Sequence, residues 1–226
     1  MPHPLRTSVD DFIEGLKSLE RETITTPLVR SFMDSTRVTA DELQPYTFFN
    51  DKFYTRNLVF RDKIFEVMVI AWKPGQKTAV HTHNGQLGWM AVPQGQVSIH
   101  KYKYLSCNAP ENQNVVGMDC LGGATFIDLE RLDTEECYQE GGIHLVDKLQ
   151  TIHQIENRDD AAAGCVTLHV YSLPFDSCIA FDLNQHRCYR KPLSYHSRYG
   201  HVEVDPPAAS PAGGLVMPSL RTSFPS

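Results

Sequence analysis

The sequence predicts a mainly β fold, a barrel or sandwich preceded by helices, and three observations carry that prediction. From Arg56 onward the chain passes through short runs rich in β-branched and aromatic residues: "RNLVF", "IFEVMVIAW", "QVSIHKYKY", "ATFIDL", "TIHQI" and "CVTLHVY". Gly, Pro, Asn and Asp separate these runs, as turns between strands require. No helical apolar pattern lies between them, so a packed all-β architecture is favoured over β–α alternation.

The first fifty residues read as helices. Ser8 followed by Asp11 resembles a capping box, and Phe12, Leu16 and Leu19 then recur at helical spacing. Thr26 and Pro27 offer an N-cap and a first-turn proline for a short helix through Phe32. Thr39 and Glu42 form another start, which Pro45 ends early. In "QVSIHKYKY" either set of alternating residues can face inward. Residues 105–123 are polar and turn-rich and read as a long loop. The expected organisation is one domain: a helical segment over 1–50 packed on a barrel over 51–204, then a Pro/Gly/Ser-rich tail over 205–226. No internal repeat is present.

Composition narrows the function. At 226 residues the chain is long enough for a substantial core, and 41% hydrophobic with 21% charged residues is a globular balance. A net charge of −6 without a basic run argues against a nucleic-acid partner and leaves a small molecule. The longest apolar run, "VMVIAW", is too short to span a bilayer, and "MPHPLRTSVDDF" has no apolar signal region. The expectation is a cytoplasmic protein with no membrane association. Its six cysteines are then expected to be reduced, and no C-x-x-C pair suggests a cysteine zinc site.

The chemistry centres on "KTAVHTHNGQLGWMAVPQG" (77–95). On a strand His81 and His83 share one face, about 7 Å apart at roughly 3.3 Å rise per residue. A packed pair, a pH-sensitive pair and two metal ligands all remain open on that observation. Spacing adds a resemblance. Gly75, His81-x-His83, Gly88 and Gly95 fall at the intervals of the first cupin motif. Gly142, His153 and Asn157 fall at those of the second, with Lys148 and Gln150 where Pro and Gly are usual. A cupin, jelly-roll-like barrel would bring His153 beside the first pair. Gly88 replaces the carboxylate that many cupins add. The ligand set would then be three neutral imidazoles, a choice that does not single out one transition metal.

Five further blocks make the resemblance more specific: "FYTRNLV", "HTHNGQLG", "IHQIEN", "TLHVYSLPFDSCIAFD" and "SYHSRYG". In order and placement, from about 50 to 200, they are similar to the cysteine dioxygenases. The resemblance implies mononuclear non-haem Fe(II) held by His81, His83 and His153. It implies Arg56, with Tyr54 and Thr167, at the substrate, the guanidinium gripping a carboxylate in a bidentate manner. It implies His169 and Tyr171 as catalytic residues, with His169 orienting the phenol in a Thr167–His169–Tyr171 relay. The substrates implied are L-cysteine and O2, with cysteinesulfinate as product. A dioxygenase for 3-mercaptopropionate or mercaptosuccinate is the nearest alternative. Relatives acting on 3-mercaptopropionate carry Gln where this chain has Arg56, which favours cysteine. A non-catalytic metabolite-binding cupin is a more distant alternative.

Two departures from that family stand out. Gly88 occupies the position of the cysteine that crosslinks to tyrosine in the animal enzymes, so Tyr171 should be free. "SLPF" replaces a two-proline sequence, and a non-proline cis bond costs about 2.5–4 kcal/mol, so Ser172–Leu173 is expected to be trans.

Overall fold

The computed structural model describes residues 5–19, 24–83, 85–108, 126–139, 141–146 and 151–203. The tail at 205–226, most of the expected 105–123 loop, and the motif positions Lys148 and Gln150 lie outside the described residues.

The N-terminal part holds β1 (Leu5–Arg6), α1 (Val9–Lys17), α2 (Thr26–Ser35), β2 (Thr36–Arg37) and α3 (Ala40–Leu43). Ser8 caps α1 as expected, its Oγ accepting the Asp11 N–H at 3.1 Å. Thr39 caps α3 in the same way through the Glu42 N–H. For α2 the cap is Thr25 rather than Thr26, and the helix runs past Phe32 to Ser35. Pro27 still lies in the first turn, where its missing N–H costs no hydrogen bond. Two strands were not foreseen: β1 and β2 pair in parallel. They are two residues long, too short to show a period.

The rest is β: β3 (Thr55–Arg61), β4 (Glu66–Trp72), β5 (Val80–His81), β6 (Leu87–Gln94), β7 (Gln96–Cys107), β8 (Ile127–Tyr138), β9 (His144–Val146), β10 (Ile152–Glu156), β11 (Cys165–Ser172), β12 (Ser177–Asp182), β13 (Arg187–Pro192), β14 (Ser197–Arg198) and β15 (His201–Val202). They form a six-stranded sheet, β13-β12-β5-β10-β7-β8, and a seven-stranded sheet, β15-β14-β3-β4-β11-β6-β9. The mainly β fold with N-terminal helices is thus as expected. β7 reaches Cys107, so the first residues of the expected loop are strand.

Alternation sorts side chains between two cores. On β4, Val67 and Val69 pack outward with Val166, Leu168 and Val170 of β11 against Phe12, Leu16, Val29 and Met33 of the helices. The intervening Ile70 and Trp72 face inward and meet Val97, Ile99 and Ile155 of the other sheet. Both β4 and β11 are therefore buried on two faces and read as continuous apolar runs. The ambiguity in β7 resolves the same way: Val97 and Ile99 point inward.

Two expectations are corrected. The Ser172–Leu173 bond is cis. The intrinsic trans preference describes an isolated peptide, and here the local fold sets the isomer, with the Leu173 N–H donating to Gln86 Oε1 at 2.9 Å. Cys188 is disulfide-bonded rather than reduced. Average thiol redox state follows the compartment, whereas a particular pair depends on which sulfurs the fold brings into reach. Cys107, Cys137, Cys165 and Cys178 are not disulfide-bonded.

Candidate metal centre

β5 and β10 pair antiparallel with His81 directly opposite His153. β5 ends at His81, so His83 stands just past the strand rather than on it. The three rings nevertheless converge, with centroids 4.8–5.0 Å apart. One ligating nitrogen from each falls within 4.8 Å of the others.

The donor set suits a metal ion. His81 Nδ1 lies 2.9 Å from the Ala79 carbonyl, so it donates there and leaves Nε2 with its lone pair free. Both ring nitrogens of His153, and Nδ1 of His83, are buried without a hydrogen-bond partner. Orphaned polar atoms at such depth are costly unless a further group binds them. Burial holds the rings neutral: His81 is pushed down to about 4, and His83 and His153 fall well below the usual imidazole range.

β11 supplies a hydrogen-bonded chain beside the rings. The Trp72 Nε1–H donates to Thr167 Oγ1 at 2.9 Å. Thr167 Oγ1 is 2.8 Å from His169 Nε2, and His169 Nδ1 is 3.1 Å from the Tyr171 hydroxyl. The three side chains at 167, 169 and 171 share a face because the strand period is two. Burial pushes His169 down to about 3 and raises the Tyr171 phenol. The Tyr171 ring lies 5.3 Å from that of His83. Gly88 is in register with Tyr171, and a Cβ on it would meet the ring edge at 3.0 Å.

Arg56, Tyr54, His81, His83, His169 and Tyr171 all line one cavity. Tyr54 stacks on Trp72 at 4.8 Å. Thr167, expected at the substrate, is fully buried behind His169 and does not line this cavity, its hydroxyl already engaged by Trp72 and His169. Arg56 is fixed from behind. Its Nη1 donates to the Ser194 carbonyl at 3.1 Å, its Nη2 lies 3.5 Å from Glu66, and its guanidinium stands over the Tyr195 ring at 5.2 Å.

Three contributors escaped the sequence reading. Glu66 is wholly buried and lies 3.7 Å from Arg61 as well as beside Arg56. Burial raises its carboxyl, against the pull of Arg56. The signal was there: it is the one charge in "IFEVMVIAW". Lys191, from a segment with no motif, and Phe175, inside the quoted block but not singled out there, also line the cavity. Cys178, opposite Lys191 across β12 and β13, lines it as a buried thiol.

A family model, cysteine dioxygenase type I, matches residues 5–184. Among curated proteins, cysteine dioxygenase type 1 of Danio rerio is 24% identical over 195 residues, covering 85% of this chain and 88% of its own length. The Homo sapiens protein of the same name is 23% identical over 173 residues, covering 76% of this chain and 77% of its own. Among solved structures, TT1209 from Thermus thermophilus aligns with a TM-score of 0.39 at 16% identity, over 58% of this chain and 93% of its own.

Proposed function

Because the chain belongs to the cysteine dioxygenase type I family, we propose that it is a thiol dioxygenase converting L-cysteine and O2 to cysteinesulfinate at a three-histidine Fe(II) centre. One observation carries this reading: three neutral imidazoles converge to within 4.8 Å, and two of them, His81 and His83, line the same cavity as a braced guanidinium and a hydrogen-bonded phenol.

His81, His83 and His153 would hold the ion, the Ala79 carbonyl fixing the first ring. Bound Fe(II) supplies a Lewis acid that favours the thiolate and a redox centre for dioxygen chemistry. The residues of the chain do the rest. Arg56 pairs with the substrate carboxylate through a planar fork, and Ser194, Glu66 and Tyr195 keep that fork in place before substrate arrives. Tyr171 presents a hydroxyl to the reacting sulfur and oxygen. With its phenol raised by burial, it acts as a hydrogen-bond donor rather than a phenolate. His169 sets the direction of that hydroxyl: in the tautomer whose Nε2 accepts the Thr167 proton, its Nδ1–H donates to the phenol oxygen and leaves the phenol proton free for the reacting groups. Phe175 stands edge-on to Tyr171 at 5.1 Å and helps exclude water. The four electrons that reduce O2 come from sulfur, and both oxygen atoms end on it, so no external reductant is required.

A second reading rests on Lys191. It gives the cavity a cation besides Arg56, which suits a thiol with two acid groups, such as mercaptosuccinate. Oxygen uptake by Fe(II)-loaded protein against L-cysteine, 3-mercaptopropionate and mercaptosuccinate, with sulfinate identified, separates these outcomes. L-Cysteine should give the highest kcat/KM, and Arg56→Ala should raise KM at least tenfold. Uptake with none of the thiols would refute the dioxygenase assignment, and a preference for a substrate lacking the amine would refute cysteine.

A further inference from the structure

On the far side of His153 lies a second cluster that the reaction does not use. The His144 ring stacks 6.0 Å from that of His153. Glu135 and Cys137 sit two residues apart on β8 and so share a face, in register with the inward-facing Ile99 and Val97 of β7. Their ligating atoms and that of His144 all lie within 4.8 Å of one another.

The geometry is close to a metal-binding one before any ion arrives. Glu135 Oε1 is 3.1 Å from His144 Nδ1 and 3.7 Å from Cys137 Sγ. A tetrahedral zinc, bonded at about 2.0–2.1 Å to nitrogen or oxygen and about 2.3 Å to sulfur, needs edges of roughly 3.3 and 3.5 Å. The two edges that meet at Oε1 therefore need only small side-chain shifts. The other carboxylate oxygen, Oε2, is held by Lys101 Nζ at 2.8 Å. That leaves Oε1 to face the cluster, and the ammonium offsets part of the charge of a carboxylate and a thiolate.

His144 is only 6% exposed; its Nδ1 faces Glu135, and its Nε2, on the other side of the ring, is buried with no hydrogen-bond partner. The cluster adjoins a cavity of about 450 Å³ lined by Lys101, Tyr102, Glu135, His144 and Thr151, with His153 of the first centre also on its wall. A water occupies only about 30 Å³, so the fourth position of a tetrahedron is easily filled. Topology suggests what such an ion would do. β8 is the last strand of the six-stranded sheet and β9 the last of the seven-stranded sheet. A shared ion would tie these two edges together.

We propose that Glu135, Cys137 and His144 form a second metal site, structural in role, for a thiophilic divalent cation such as zinc. It is independent of the His81, His83 and His153 centre. The sulfur ligand makes the two sites separately visible, because the histidine centre contains none.

The test is a Co(II) titration of the full-length Fe(II)-loaded protein without thiol substrate, read by thiolate-to-cobalt charge-transfer absorption. The expected result is a band that saturates at one equivalent and disappears on adding Zn(II). It should be absent in Cys137→Ser and at least tenfold weaker in affinity in His144→Asn. Retained Fe(II)-dependent oxygen uptake would show that these variants fold. No band in the wild-type protein overturns the proposal whether or not the variants fold, and so does a band that persists in Cys137→Ser. In either case Glu135 and His144 form a hydrogen-bonded pair only.

Discussion

His169 shows how a single buried residue couples stability to chemistry. Its ring is enclosed on β11 and pushed down to about 3 from an ordinary 6.5, so it is neutral wherever the fold is intact. The unfolded chain takes up a proton at this ring as pH falls through 6.5, and the folded chain does not until about 3. The favourable contribution is therefore complete above 6.5 and declines as pH drops toward 3. His169→Gln removes this linkage. The stability gap between wild type and variant, measured by denaturant unfolding, should narrow steadily across that interval, and a gap independent of pH would contradict the assignment. Among individual residues, the histidines and Arg56 were legible because the spacing of rare chemical groups survives in a linear string. Glu66 was visible as a charge in an apolar run, yet its pairing with Arg56 and Arg61 spans strand neighbours that the string does not reveal.

Elements were readable in proportion to their length. β3, β4, β7, β10 and β11 are five to twelve residues long and carry a clear β composition. β5, β14 and β15 have two residues each; β5 and β14 exist because longer neighbours pair with them, and β15 pairs in turn with β14. The contact between β6 and β11 was legible only as an oddity, a glycine where related sequences place a larger residue. In the fold, a Cβ at Gly88 would approach the Tyr171 ring at 3.0 Å and Val146 Cβ at 3.2 Å. The ring is tethered to His169 and the valine belongs to the paired β9, so neither yields easily. Gly88→Ala should cost about 1–3 kcal/mol, the usual range for overpacking, and should lower kcat as the phenol is displaced. Thermal unfolding and oxygen uptake check both effects, and an unchanged variant would show that the strands can separate at little cost.

At the scale of the whole molecule, one sheet carries the candidate iron ligands His81 and His153, with His83 just past β5, and the other carries the Tyr171 relay. An ion that binds only this assembled arrangement stabilises the fold by mass action. At a free Fe(II) concentration of a hundred times Kd the gain is about 2.7 kcal/mol, or about 5–11 °C in Tm for a chain of this size. Anaerobic melting with and without Fe(II) should show that shift in the wild-type protein and lose it in His83→Ala. A melting temperature indifferent to Fe(II) would count against the centre. No helix among the described residues is long and apolar enough to cross a membrane. By itself the sequence determined the mainly β class, the helix caps at Ser8 and Thr39, and the histidine, arginine and tyrosine candidates, because local periodicity and side-chain chemistry are written in order along the chain. Only the tertiary structure decided that Thr167 stands behind His169, that Ser172–Leu173 is cis, that Glu66 braces Arg56, and that Glu135, Cys137 and His144 meet. Each of those outcomes depends on which strands lie side by side, and pairing between distant segments is fixed by packing rather than by neighbours in sequence.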